Sequence, residues 1–230
     1  MGDHVRLLCL RHAESENVIA GAAGALPLAS LTAKGRLQAG EAAARLMKEG
    51  ISRIYTSTAV RARQTAEIIT RTLKADVVPL PDLVEVGVGR SEGAIDPAIR
   101  ARTAAVLRSW IVDGNLEEAV SDGEDGYAVT ARIVGALTSI AAQHPGETVA
   151  VVGHVASLTT GLNALCGLGQ QVWGVPLPHA VPFAVEYDGR SWQCTWPGGC
   201  QESKLGGGAC GPGRVQCRRG GCAAPTSTAS

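Results

Sequence analysis

The chain has 230 residues, yet aromatics make up only 3% of it and there is a single Phe. It has no excess of charge either, with 21 basic residues against 21 acidic ones. That balance excludes a global field that would gather nucleic acid or dock on an anionic membrane, so any bound anion must be held by a local cluster. No apolar run approaches the roughly 18 residues of a membrane-spanning helix. The start, Met1-Gly-Asp-His-Val-Arg6, lacks the apolar stretch of a secretion signal, and Arg6 stands where a myristoylation signal has Ser or Thr. The expected location is cytoplasmic.

What is present is Ala, Val, Leu and Ile, which dominate a hydrophobic fraction of 45%. This suits Ala-rich helices packed on β-branched strands, in one domain with a sizeable core. The seven cysteines divide by position. Cys9 and Cys166 lie in apolar segments and read as buried thiols, and Cys194 lies near the end of a strand-like run. Cys200, Cys210, Cys217 and Cys222 belong to a tail of different composition. There, Lys204, Arg214, Arg218 and Arg219 face only Glu202, among Gly, Ser, Thr and Pro. Residues 199–230 therefore read as a disordered Gly/Cys-rich tail following a domain at residues 1–198. The tail's cysteine spacings contain no C-x2-C pair and match no common zinc pattern, so no metal site is expected.

Strand and helix signals alternate along the domain. Val5–Leu10 reads as a buried strand ending at Arg11-His12. Thr32 is an N-cap for a helix over 34–48. A second strand is expected over Ile51–Tyr55, a helix over Ser57–Leu73, and a third strand over Asp76–Pro79. The stretch from Leu83 to Asp96 is glycine-rich and irregular. Pro97–Val112 opens with a proline suited to a first turn, and another helix falls within Gly123–Ala142. Thr148–Gly153 is the most strand-like run, followed by His154 and a helix over Val155–Leu165. A hairpin closes the domain, with Pro182–Tyr187 and Arg190–Thr195 flanking Asp188-Gly189. This pattern predicts an α/β three-layer sandwich, a mostly parallel central sheet with helices on both faces.

Ligands of such sheets bind beyond the carboxyl ends of the strands. His12 and His154 both occupy that kind of position. One histidine at a strand end is more often structural than catalytic; two at strand-to-helix junctions shift the balance toward function.

Leu10-Arg-His-Ala-Glu-Ser-Glu-Asn17 resembles the R-H-G-E-x-x-x-N signature of the histidine phosphatase superfamily, the phosphoglycerate mutase-like enzymes. Leu31–Ala39 resembles that family's L-T-x-x-G-x-x-Q-A, and Ser57–Ala66 its S-P-L-x-R-A-x-Q-T-A. Leu83-Val-Glu85 with Gly89, Glu92 and Gly93, then Gly123-Glu124, then Val152-Gly-His154 continue the pattern in order, so that the hairpin end near residue 195 bounds the likeness. The resemblance implies a catalytic domain, at residues 1–198, that binds a small phosphorylated substrate without a cofactor. It implies His12 as nucleophile, with Arg11, Arg61 and His154 contacting the phosphate.

The chemistry agrees with those residue types. A transferring phosphoryl group spreads negative charge over three oxygens, and two arginines supply planar bidentate donors for it. His12 must attack as neutral imidazole with its other nitrogen held by a backbone carbonyl. His154 is expected to donate a hydrogen bond and positive charge. Glu85 matches the proton donor for the leaving oxygen, which requires it to carry a proton when substrate binds. Asn17 and Ser57 match positions that line the phosphate or support its loop. Glu92 could orient an arginine or be merely solvated, Glu14 reads as a partner of an arginine, and His179 as a supporting residue. Arg63, Lys34 and Arg36 read as exposed helix charges, and His4 and His144 as surface residues.

Departures are few. Ala13 replaces glycine, which is tolerable if its φ stays negative. Thr58 replaces the proline of S-P-L, Asp125 the serine of G-E-S, and Val155 the glycine after the second histidine. The stretch from Glu92 to Gly123 lacks a long basic and aromatic insertion, which favours an acid phosphatase-type phosphomonoesterase over a mutase. A non-catalytic phosphate-binding module is the remaining alternative, disfavoured by the complete residue set. No nucleic acid or membrane partner is expected, and the resemblance leaves room for a homodimer.

Overall fold

The computed structural model describes residues 4–198 together with Val215 and Gln216. The strands are β1 (Val5–Arg11), β2 (Arg53–Ser57), β3 (Asp76–Leu80), β4 (Thr148–Gly153), β5 (Phe183–Tyr187), β6 (Trp192–Cys194) and β7 (Val215–Gln216). The helices are α1 (Glu16–Ile19), α2 (Ala33–Leu46), α3 (Val60–Leu73), α4 (Pro97–Arg108), α5 (Gly126–Gln143) and α6 (Val155–Cys166). One mixed sheet runs in the order β3-β2-β4-β1-β5-β6-β7. Its first four strands are parallel and the rest continue antiparallel. Among the described residues, no helix is long and apolar enough to cross a membrane. The tail expected at residues 199–230, with its four cysteines, lies outside the described residues apart from β7.

Alternation along the strands makes the two helical layers. Leu8 and Leu10 of β1 join Ile54, Ala150 and Val152 in a core completed by Ala-rich faces of α2 and α3. Leu7 and Cys9 point to the other face, where Tyr55, Val149 and Val151 pack with residues of α4, α5 and α6. Small side chains such as Ala39, Ala42, Ala62 and Ala66 let α2 and α3 lie close to the sheet.

Some boundaries differ from expectation. The second strand runs later than Ile51–Tyr55 and takes in Ser57, while α3 starts only at Val60. Pairing decides this: β2 is hydrogen-bonded on both sides, with Ser57 in register with Leu80 of β3 and Thr56 with Val152 of β4. The same ladder extends the third strand through Pro79 to Leu80. The helix expected to reach Val112 is α-helical to Arg108 and then widens into a π turn over Ser109–Asp113. His144 is not a surface residue. It sits just after α5, buried, with Nε2 2.8 Å from the Tyr55 hydroxyl and Nδ1 2.9 Å from a Glu147 oxygen. A polar partner on each ring nitrogen is what makes its burial tolerable.

Candidate active site

Sheet register assembles the site. β1 and β4 are parallel neighbours with Arg11 opposite Gly153, so His12 and His154 leave the sheet side by side. Their rings lie 5.1 Å apart, edge to face. β2 flanks β4 on its other side and brings Ser57 to the same edge, with its Oγ 2.7 Å from His154 Nε2. Arg61 follows at the start of α3, almost wholly buried.

Hydrogen bonds fix the state of each ring. A guanidinium can only donate, and Arg61 Nε lies 3.1 Å from His12 Nε2. His12 Nε2 is therefore an unprotonated lone pair, and its proton sits on Nδ1, 2.7 Å from the Ala13 carbonyl oxygen. By the same logic Arg61 Nη2, 3.2 Å from His154 Nδ1, leaves the His154 proton on Nε2, where it is donated to Ser57. Burial holds His12 well below the ordinary histidine pKa, and the Arg61 and Arg11 charges act in the same direction. The Ala13 carbonyl opposes them but does not win. His154 is also pushed well down, by burial first and then by His12, Arg61 and Arg11. The expected positive charge on His154 is thus not found; it is a neutral ring in a cationic neighbourhood.

Arg61 also donates to the carbonyls of Leu26 (2.7 Å) and Ala25 (2.8 Å), tying the Gly21–Leu31 loop to the site. Arg11 donates to the Leu177 carbonyl at 3.2 Å, while its buried Nε has no partner. Arg11 lines one cleft with His12, and its unmatched guanidinium N–H is a donor awaiting an acceptor. Burial lowers the pKa of both arginines, but a guanidinium stays charged at any ordinary pH.

Glu85 reaches the same cleft from the loop after β3 and closes a gap in α6. His154 occupies the N-cap position of α6 without capping it, and the Glu85 carboxylate accepts from Ala156 N (3.2 Å) and Ser157 N (2.9 Å) instead. A carboxylate there also faces the positive end of the helix dipole. Asn17 Oδ1 accepts from the buried Ser15 hydroxyl at 2.7 Å and lines the cleft. His179 is half-buried, tilted against His12, with Nδ1 3.0 Å from the His12 carbonyl oxygen. Ala13 has no positive φ, so its methyl is accommodated.

One expectation about an acidic residue is corrected. Among the described residues, Glu14 partners no arginine: its carboxylate accepts from Lys34 Nζ and Thr32 Oγ1, pinning the start of α2. Gly35 is required there, because a Cβ would overlap the Glu14 carbonyl. Glu92 accepts from Val88 N at 2.9 Å, and its charge acts on Arg61 without a hydrogen bond between them. Residues that sequence reasoning passed over do much of the bracing. Thr65 Oγ1 accepts from Ala13 N and donates to Arg61 O, linking nucleophile to phosphate-site arginine. Arg132 pairs with Glu124 through two bonds and donates to the carbonyls of Asp82, Val84 and Glu85, so it shapes the Glu85 loop. Thr65 was visible inside the Q-T-A motif; Arg132 carried no local signal. Asp125 caps α5 by accepting from Ala128 N, a duty the replaced serine could also have served.

These groups open on a cleft of about 370 Å³ whose wall includes Arg11, His12, Asn17, Arg61 and Glu85. Among the described residues, no cluster of His, Cys, Asp and Glu has a metal-holding arrangement.

The sequence profile of the family described as histidine phosphatase superfamily (branch 1) matches residues 7–198. The chain is 28% identical over 187 residues to phosphoserine phosphatase 1 of Hydrogenobacter thermophilus, covering 81% of this chain and 88% of that protein. It is 29% identical over 164 residues to a probable phosphoglycerate mutase of Proteus mirabilis, covering 71% and 76%. Among solved structures, YhfR of Bacillus stearothermophilus superimposes with a TM-score of 0.73 at 28% identity, covering 86% of this chain and 98% of that one.

Proposed function

The chain belongs to the histidine phosphatase superfamily (branch 1), and we propose that it is a phosphomonoesterase working through a covalent phosphohistidine on His12. The observation that carries this reading is the state of His12: a neutral ring whose Nδ1–H is fixed on a backbone carbonyl and whose Nε2 lone pair lies against a guanidinium. A nucleophile must be unprotonated, and cations beside it must offset the charge of an incoming phosphate.

In the first step the Arg61 Nε–H turns from the His12 lone pair to a phosphate oxygen, the freed Nε2 attacks phosphorus, and the bond to the ester oxygen breaks. A proton carried in on the phosphate of the ester passes through the Glu85 carboxylate to that oxygen, so the leaving group departs as an alcohol and Glu85 is left ionised. In the second step Glu85 takes a proton from water, the water oxygen attacks phosphorus, and the P–N bond breaks to release phosphate. Arg11, with its unmatched Nε, and Arg61 stabilise the equatorial oxygens in both steps. His154 donates from its ring or through Ser57. Asn17 borders the same cleft.

Relatives with both phosphatase and mutase names exist. The stretch between Glu92 and Gly123 supports hydrolysis, since it adds one helix and a π turn rather than a long insertion that would seal out water. The test is a panel of small phosphomonoesters assayed for free phosphate. His12→Ala should abolish turnover together with the acid-labile, base-stable label left by a phosphorylated substrate. Activity should survive EDTA, because side-chain cations serve the phosphate. Interconversion of phosphoglycerates without phosphate release would overturn the hydrolytic reading.

A further inference from the structure

Resting on that phosphatase reading, we propose that Arg100 selects substrates carrying a second anionic group at the end of the ester remote from the reacting phosphate. α4 carries three arginines. Arg102 is paired with Glu118 at 2.9 Å and Arg108 with Asp113 at 2.7 Å. Among the described residues, the Arg100 guanidinium has no acceptor, and it is the one of the three that borders the cleft. It is exposed there and lies against Gly21, where a Cβ would overlap Nη1. A glycine with φ of +64° on the facing loop therefore makes room for this side chain.

The wall between the two cationic ends is mostly apolar, formed by Ala22, Val88, Ala104, Leu107 and Val155. Thr103 adds one hydroxyl, already donating to the Ile99 carbonyl. Among the described residues, Glu85 is the one carboxylate lining the cleft, and its oxygens are turned to the amides of α6. A ligand anchored at His12 and reaching α4 thus crosses a surface with few partners for hydroxyls and ends at a guanidinium without a counter-ion. That chemistry fits a short phosphomonoester ending in a carboxylate or a second phosphate, and fits a polyhydroxylated body poorly.

Matched pairs of substrates test this. One pair is 3-phosphoglycerate against glycerol 3-phosphate, which differ by a carboxylate in place of a CH₂OH group. The other is propane-1,3-diyl bisphosphate against 3-hydroxypropyl phosphate. The native enzyme should favour the charged member of at least one pair roughly tenfold in kcat/KM, the scale of one charge-assisted contact at an exposed site. Arg100→Gln should bring that ratio near one, chiefly through KM, and Arg100→Lys should retain part of it. Because each ratio is measured within one protein, partial misfolding does not imitate the effect. Preference within the first pair alone assigns a carboxylate; within the second alone, a second phosphate. Equal use of both members by the native enzyme, or a preference that survives in Arg100→Gln, overturns the role of Arg100 and leaves the phosphatase reading intact. Should no ester release phosphate, the phosphatase reading fails. Calorimetric binding of 3-phosphoglycerate then decides about Arg100: weaker binding to Arg100→Gln supports the subsite, equal binding overturns it.

Discussion

Arg61 joins the nucleophile, the second histidine and the Gly21–Leu31 loop through one planar group. Lysine keeps the charge but offers a point donor, which cannot hold two carbonyls and two imidazoles at once. Arg61→Lys should lower kcat/KM by about a hundredfold or more, the cost of losing an oriented donor to the transition state. Steady-state kinetics beside a thermal melt check this, and near-native activity in the lysine variant would remove Arg61 from the proposed mechanism. Thr65 acts one bond further away. Thr65→Val preserves shape but strips the acceptor from Ala13 N and the donor from Arg61 O. We expect a loss of about 1–3 kcal/mol in stability for the orphaned Ala13 N–H, since Arg61 O keeps its helical backbone donor. A fall in kcat with little change in KM should accompany it, since the Ala13 carbonyl fixes the His12 tautomer. Unchanged kcat would show that the tautomer needs no such brace.

At the scale of elements, the loop carrying Glu85 is held by a helix that sequence periodicity shows only as apolar. Arg132 of α5 is largely buried and reaches both Glu124 and three loop carbonyls. Arg132→Met should cost about 1–3 kcal/mol, because the half-buried Glu124 loses its counter-charge. Adding Glu124→Gln should restore part of that stability but not the turnover, since the loop carbonyls still lack their donor. Denaturant titration and kcat together distinguish the two; full recovery of both would mean the pair is merely a stability device. Legibility in the sequence follows the same division. His12 and His154 could be placed because each follows a short apolar strand-like run, and the phosphate arginines because they sit in motifs with fixed spacing. The start of α2 could be read from Thr32, which caps it as expected. What stayed hidden depends on partners far along the chain. The end of β2 is set by two neighbouring strands, the burial of His144 by Tyr55, and the capping of α6 by Glu85 some 70 residues earlier. No local pattern records these, and the misreading of Glu14 has the same origin, since Lys34 lies on another element.

For the molecule as a whole, the neutral histidines make stability depend on pH. His12, His154 and His179 all have pKa values lowered from 6.5, in each case by burial first. Below about pH 6.5 the unfolded chain takes up protons at these positions while the folded chain does not, so stability falls as pH falls. Each deeply buried ring contributes a slope of up to about 1.4 kcal/mol per pH unit, until its folded pKa is reached. Glu124 adds a second stage. Arg132 and the Gly87 amide outweigh its burial and lower its pKa from 4.5, so its stabilisation is present above that value and is lost as pH falls through the folded one. Urea unfolding between pH 7.5 and 5.5 should therefore show progressive destabilisation, and His12→Ala should shallow the slope by nearly one proton. An identical slope in that variant would mean His12 titrates alike in both states. The same protons bear on activity. Because folding already keeps His12 unprotonated at neutral pH, the single-turnover rate of phosphohistidine formation should not fall between pH 7.5 and 6.5, where an unperturbed imidazole would lose about half of its free base. A decline with an apparent pKa near 6.5 would place the nucleophile in a wetter, less cationic environment than Arg61 and Arg11 impose on it here.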